Sequence, residues 1–128
     1  MTAPVAVQGD RITGICNGHQ IPGGTGNPVP APPLPFSSPL TAGLATSVTV
    51  GGTPAAVVGS GGTCDPGHTG LHGSDPFLSG PSQRGAVVSG SSTVFFDGQP
   101  AATATSNCTM CMGPASALVT TQSTVLAG

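Results

Sequence analysis

Every thiol and every imidazole of this 128-residue chain falls in one of three short windows. The first reads CNGH, with Cys16 and His19. The second reads CDPGH and then LH, with Cys64, His68 and His72. The third reads CTMC, with Cys108 and Cys111. Four cysteines and three histidines placed for packing alone would not gather in this way. Sulfur and nitrogen donors in such number suit a tetrahedral Zn²⁺ site. The expected site holds one structural Zn²⁺ per chain through His19, Cys64, one of His68 and His72, and Cys108. It takes a ligand from every window, with Cys16 and Cys111 in reserve should the geometry favour sulfur. The bland alternative is buried thiols with surface histidines. A zinc ribbon fits less well, because the C-x2-C of Cys108 and Cys111 has no second such pair.

The same residues argue against catalysis. They crowd together instead of pairing as nucleophile and base. No glutamate exists to serve as a metalloprotease base, and there is no phosphate-binding fingerprint. The chain is not expected to be an enzyme.

The elements that must position these windows are repeats. Residues 44–64 read LATSVTVGGTPAAVVGSGGTC and residues 89–108 read SGSSTVFFDGQPAATATSNC. With Gly52 set over Gly98, Val48 falls on Val94, Val50 on Phe96 and Pro54-Ala55-Ala56 on Pro100-Ala101-Ala102. Such a period marks repeated supersecondary units. A third copy is divided between the chain ends. Ser123-Thr124-Val125 matches Ser92-Thr93-Val94, while Pro4 and Gly9 match Pro54 and Gly59. Complementary half-units at the termini predict closure around an axis, with the strand near Val125 pairing with the strand near Val5. Each unit should be a hairpin, turning at Gly51-Gly52 or Asp97-Gly98, with Pro opening its second strand. The ligand windows follow the second strands, so they should converge at one end of the axis.

Composition agrees with an all-β domain. Lys, Glu, Trp and Tyr are absent, and the charges are Arg11, Arg84, Asp10, Asp65, Asp75 and Asp97 alone. Without Glu and Lys, the strongest exposed helix formers are scarce. A net charge of −2 leaves no basic surface for nucleic acid. The N-terminus lacks the basic head and apolar run of a signal peptide, so assembly in the cytoplasm is the expectation. The expected organisation is a single domain, 1–128. Its divided repeat is 1–19 with 121–128, and its internal repeats are 44–72 and 89–111. Residues 22–39 carry seven prolines and are expected to form an extended surface loop, strapped down by Leu34 and Phe36.

These residues resemble the PAAR-repeat family, named for Pro-Ala-Ala-Arg. The motif stands here as PVAV (Pro4 to Val7), PAAV (Pro54 to Val57) and PAAT (Pro100 to Thr103). The family's Gly-Ser lead-in is similar to SGSSTVFFDG at residues 89–98. Its Gly-Asp exit is similar to Gly9-Asp10 and, more weakly, to Gly59-Ser60. CNGH and His72-Gly73 are similar to its ligand contexts. The chain departs from the pattern in lacking the motif arginine in all three copies. The resemblance implies a small conical pseudo-threefold domain that caps the trimeric spike of a contractile injection system. That system would be type VI secretion, a phage tail-like structure or an extracellular particle. It further implies a metal near the apex, contact with a target membrane during puncture, and effector cargo as a further passenger. The hairpin face around Val48, Thr49, Val94, Phe95 and Val125 would then dock the spike. A reading from another class is a free-standing β-repeat binding module or adhesin.

Overall fold

The computed structural model describes residues 2–111 and 113–128. They form an all-β structure of short strands in several small sheets, with one 3-10 turn at Gly80–Ser82. The reason for so many short strands lies in the repeats. Thr49–Val50 pairs with Thr53–Pro54, and Phe95–Phe96 with Gln99–Pro100, each antiparallel across a two-residue turn. Both turns need positive φ at both positions. Gly51 and Gly52 supply 61° and 84°, and Asp97 and Gly98 supply 52° and 82°. Gly and Asp are residues that tolerate this geometry, which matches the twist of a hairpin. The third unit has no turn because its strands are the chain ends. Ala3–Pro4 pairs with Leu126–Ala127, and Val5 N–H donates to the Val125 carbonyl at 3.0 Å. The expected head-to-tail closure is present.

The three second strands then bond to one another in a closed cycle. Ala6 N–H donates to Ala102, Ala102 to Ala56 and Ala56 back to Ala6, at 2.9, 3.0 and 2.9 Å. All three alanines are completely buried. Three strands meeting this closely leave room for a methyl group and little more, which accounts for the recurrent Ala at this position. The residue after each ring alanine, Val7, Val57 or Thr103, is also buried. A charged side chain at any of these positions would lose its hydration. Directly after the ring each strand makes the same reverse turn. Asp10, Ser60 and Ser106 return a side-chain oxygen to the N–H of Val7, Val57 and Thr103 at 2.9, 3.0 and 2.9 Å. Asp and Ser are equivalent as local backbone acceptors, which explains why Gly-Asp and Gly-Ser interchange.

Neighbouring residues of a strand face opposite ways, so the ring divides the core. Val5, Val7, Ala55, Val57, Val50 and Ala127 pack on the hairpin side. Ala6, Ala56 and Ala102 pack with Ile12, Phe36, Leu40, Val87, Leu118 and all four cysteines. On that second side Arg11–Cys16 lies between Ala117–Val119 and Leu34–Pro39. Gly61–Thr63, Arg84–Val87, Cys108–Met110 and Gly113–Pro114 form a four-stranded sheet. Gly61 and Gly62 are required by close approach, since a Cβ on either would strike the carbonyl of Gly85 or Pro39.

The proline-rich segment differs from the expected loop. Pro28–Pro30 pairs with Gln20–Pro22, and Leu34–Pro39 pairs with Arg11–Cys16 over six residues. Leu34–Pro39 is the outer strand of its sheet, the position where a missing N–H is tolerated. Phe36 is buried as expected, whereas Leu34 is only half-buried.

Candidate metal centre

Four of the seven candidate ligands come together. One donor atom from each of Cys16, His19, His68 and Cys111 lies within 4.8 Å of the others. Three of the four residues are buried and His68 is half-buried. Cys16 arrives at the end of Arg11–Cys16, on the inward face it shares with Ile12. Gly14, between them on that face, has no side chain. A Cβ there would meet the Met110 sulfur at 2.7 Å, so its absence lets the third window approach. Gly18, at φ 94°, turns the chain after Cys16 and returns His19 to the interior. Cys111 directly follows the strand Cys108–Met110.

Each imidazole is oriented by an acceptor outside the cluster. The His19 Nδ1–H donates to Asp75 Oδ2 at 3.0 Å, with both side chains wholly inaccessible to solvent. The His68 Nε2–H donates to the Pro35 carbonyl at 2.8 Å. A carboxylate and a carbonyl only accept, so the nitrogens turned into the cluster, His19 Nε2 and His68 Nδ1, are left as lone-pair donors. They face each other at 3.1 Å. Two lone pairs that close repel unless a cation sits between them. The Cys111 sulfur lies 3.4 Å from His19 Nε2 and 2.7 Å from the Cys16 sulfur. Tetrahedral Zn²⁺ would space its donors at about 3.3 Å for N···N and about 3.8 Å for S···S, from bond lengths of about 2.0 and 2.3 Å. The nitrogens therefore already stand at ligand spacing, and the sulfurs would move apart. This Cys2His2 cluster is able to hold a metal ion.

The supporting shell is built as metal sites require. Burial alone would raise the Asp75 pKa. The backbone N–H groups of Gln20 and Phe77 and the His19 ring outweigh burial and hold it below the ordinary carboxylate range. Gln83, 1% exposed, clamps the His68 backbone from both sides. Its Oε1 accepts the His68 N–H at 2.6 Å, and its Nε2 donates to the His68 carbonyl at 3.1 Å. Burial pushes the Cys111 thiol up, reinforced by Cys16 beside it. In water-poor surroundings a thiol stays protonated unless a metal takes the place of the proton.

The structure brings together two residues of the expected ligand set and both of its reserves. His19 and His68 are in the cluster, and the choice between His68 and His72 falls to His68. Both ring nitrogens of His72 are occupied elsewhere, by Ser74 Oγ and the Gly26 carbonyl, where the ring pins the turn of the 20–30 hairpin. Cys64 lies at the margin, its sulfur 3.8 Å from His68 Nε2 and 3.3 Å from the Pro66 carbonyl. Cys108 is in the core, with its sulfur directed to the Ser106 carbonyl, and burial lifts its pKa to about 11. The two reserves, Cys16 and Cys111, stand in their places. Sequence reasoning missed Asp75 and Gln83 altogether. Asp75 lies three residues past His72 with no motif around it, and the one available signal was its status as one of only four acids in the chain.

On the hairpin side, Thr49, Phe95 and Leu126 occupy equivalent positions opposite Pro54, Pro100 and Pro4. All three are exposed, Phe95 at 54% and Leu126 at 50%. Val125 is exposed at 39%, while Val48 and Val94 are half-buried against the core. Each hairpin is a two-stranded sheet among the described residues, so its outer strand retains unpaired edge groups. No protein-family model, curated protein or solved structure matches this chain.

Proposed function

We propose that the chain is a structural spike tip of PAAR-repeat type, which caps the trimeric spike of a contractile injection system and is stapled by one Zn²⁺. The observation that carries the reading is the cycle of three hydrogen bonds through Ala6, Ala56 and Ala102, each in a Pro-x-Ala context. A single chain that repeats one hairpin three times around a ring presents the same edge three times. That is what a partner with three identical chains requires, since strand addition satisfies exposed edges and fixes register together. The exposed row of Thr49, Phe95 and Leu126 supplies apolar area for the docking face. In this role the domain is conical, with the metal toward its apex. Zn²⁺ is the ion best matched to two sulfurs and two imidazole nitrogens. It stabilises a core whose fully buried large side chains are few. No reaction is assigned. Effector cargo and contact with a target membrane belong to the delivery role.

The test is co-elution with a trimeric spike protein from a contractile injection system. Complex formation that is lost in Phe95→Asp, with the melting temperature of the tip alone within a few degrees of wild type, supports the reading. A chain that ignores such spikes and instead binds a surface carbohydrate is the free-standing module or adhesin.

A further inference from the structure

The two sulfurs of the cluster are closer than a metal would keep them. Cys16 Sγ and Cys111 Sγ are 2.7 Å apart, against about 3.8 Å for two thiolates on one tetrahedral ion. The distance is nearer the roughly 2.05 Å of a disulfide. No other pair of sulfurs among the described residues makes such a contact. Cys64 touches the Pro66 carbonyl and His68, and Cys108 the Ser106 carbonyl. The pair also joins distant parts of the chain, 95 residues apart, at the ends of two strands held together through Gly14 and Met110. A bond here would link the first and third windows as the metal does.

We propose that Cys16 and Cys111 are a disulfide-forming pair, oxidised by peroxide when the protein meets an oxidising environment, with loss of any bound metal. Cys111, 7% exposed against 0% for Cys16, is the more accessible residue of the pair and the one assigned to meet the oxidant. The Cys111 thiol gives up its proton to solvent as its sulfur attacks one peroxide oxygen. The S–O bond forms, the O–O bond breaks, and the leaving hydroxide is protonated to water. The Cys16 thiol likewise gives up its proton as its sulfur attacks the Cys111 sulfur. The S–S bond forms, the S–O bond breaks, and the second hydroxide is protonated to water. The two sulfurs lose two electrons and peroxide gains them, while a metal ion departs with its oxidation state unchanged. Only the metal-release half rests on the metal reading above. The disulfide stands on the sulfur geometry.

Metal-stripped full-length protein is treated with one equivalent of hydrogen peroxide, alkylated and mapped by peptide mass spectrometry. A Cys16–Cys111 cross-link with Cys64 and Cys108 alkylated is expected. Four alkylatable thiols after treatment, or a cross-link through Cys64 or Cys108, would overturn the proposal. The double variant Cys64→Ser, Cys108→Ser must still cross-link, and this arm decides the matter even where Cys111→Ser does not fold. A parallel sample loaded with Zn²⁺ should release one ion per cross-link. Cross-linking of a chain that never bound zinc would sink the metal reading and leave the pair standing. Zinc binding with no cross-link in the stripped protein would do the reverse.

Discussion

Replacing Asp75 with Asn isolates the orientation of His19 from the ligand itself. The carboxylate accepts three hydrogen bonds, from the His19 ring at 3.0 Å, Gln20 N–H at 2.8 Å and Phe77 N–H at 2.7 Å. Asn keeps one acceptor oxygen, which suffices for Phe77. It sets an NH₂ group where Oδ2 stood, donor against donor. The His19 ring can answer by moving its proton to Nε2, so that Nδ1 accepts from the amide. That places N–H where the metal needs a lone pair. A hydrogen bond to a charged group is worth about 1.5–3 kcal/mol. At about 1.4 kcal/mol per tenfold, that corresponds to a loss of roughly 10–150-fold in metal affinity, in line with the ~10–100-fold typical of outer-shell changes. Competition against a chromophoric chelator measures the affinity. The Asn variant also weakens the metal-free fold by stranding the Gln20 N–H, so stability is read as the difference between melting temperatures with zinc and with chelator. An affinity within threefold of wild type, with that difference unchanged, would refute the assignment of His19 Nε2 as a ligand oriented by Asp75.

Two further outcomes separate the observed arrangement from its alternatives. Cys16→Ser and His68→Ala should each abolish stoichiometric zinc, whereas Cys108→Ser and His72→Ala should retain it, by metal analysis of the purified proteins; the opposite pattern restores the set expected from the windows. Deleting residues 123–128 removes the partner strand of Ala3–Pro4 and the acceptor of the wholly buried Val5 N–H. At about 1–3 kcal/mol for each stranded buried group, that is a large share of the ~5–15 kcal/mol stability of a small domain, so thermal unfolding should show no cooperative transition, and a melting temperature unchanged within a few degrees would contradict ring closure.

The hairpins, their turns and the head-to-tail closure were legible in the sequence because local chemistry demands them. Gly51-Gly52 and Asp97-Gly98 permit the backbone signs that a two-residue hairpin turn needs. A half-unit at each end of the chain has no other partner for its edge. The clustering of Cys and His was equally plain. Which of those donors meet was not. Cys16 faces inward because it shares a pleat with Ile12, a pattern present in the sequence but silent until the strand's buried face is known. Cys108 and Cys111 both qualify by type. The end of Cys108–Met110 turns Cys111 into the cluster, while Cys108 lies opposite Val87 inside the sheet. His68 reaches the site because Gln83, fifteen residues later, grips its backbone. Asp75 crosses from residue 75 to residue 19 to set the His19 tautomer. Residues 22–39 are prevented by their prolines from forming a helix, yet it is the unfilled edge beside Arg11–Cys16 that makes Leu34–Pro39 a strand. Turn chemistry and repeats act over a few residues and are written in the sequence. Donor geometry and edge pairing depend on side chains that meet only after the ring has closed, so the tertiary structure alone decides them.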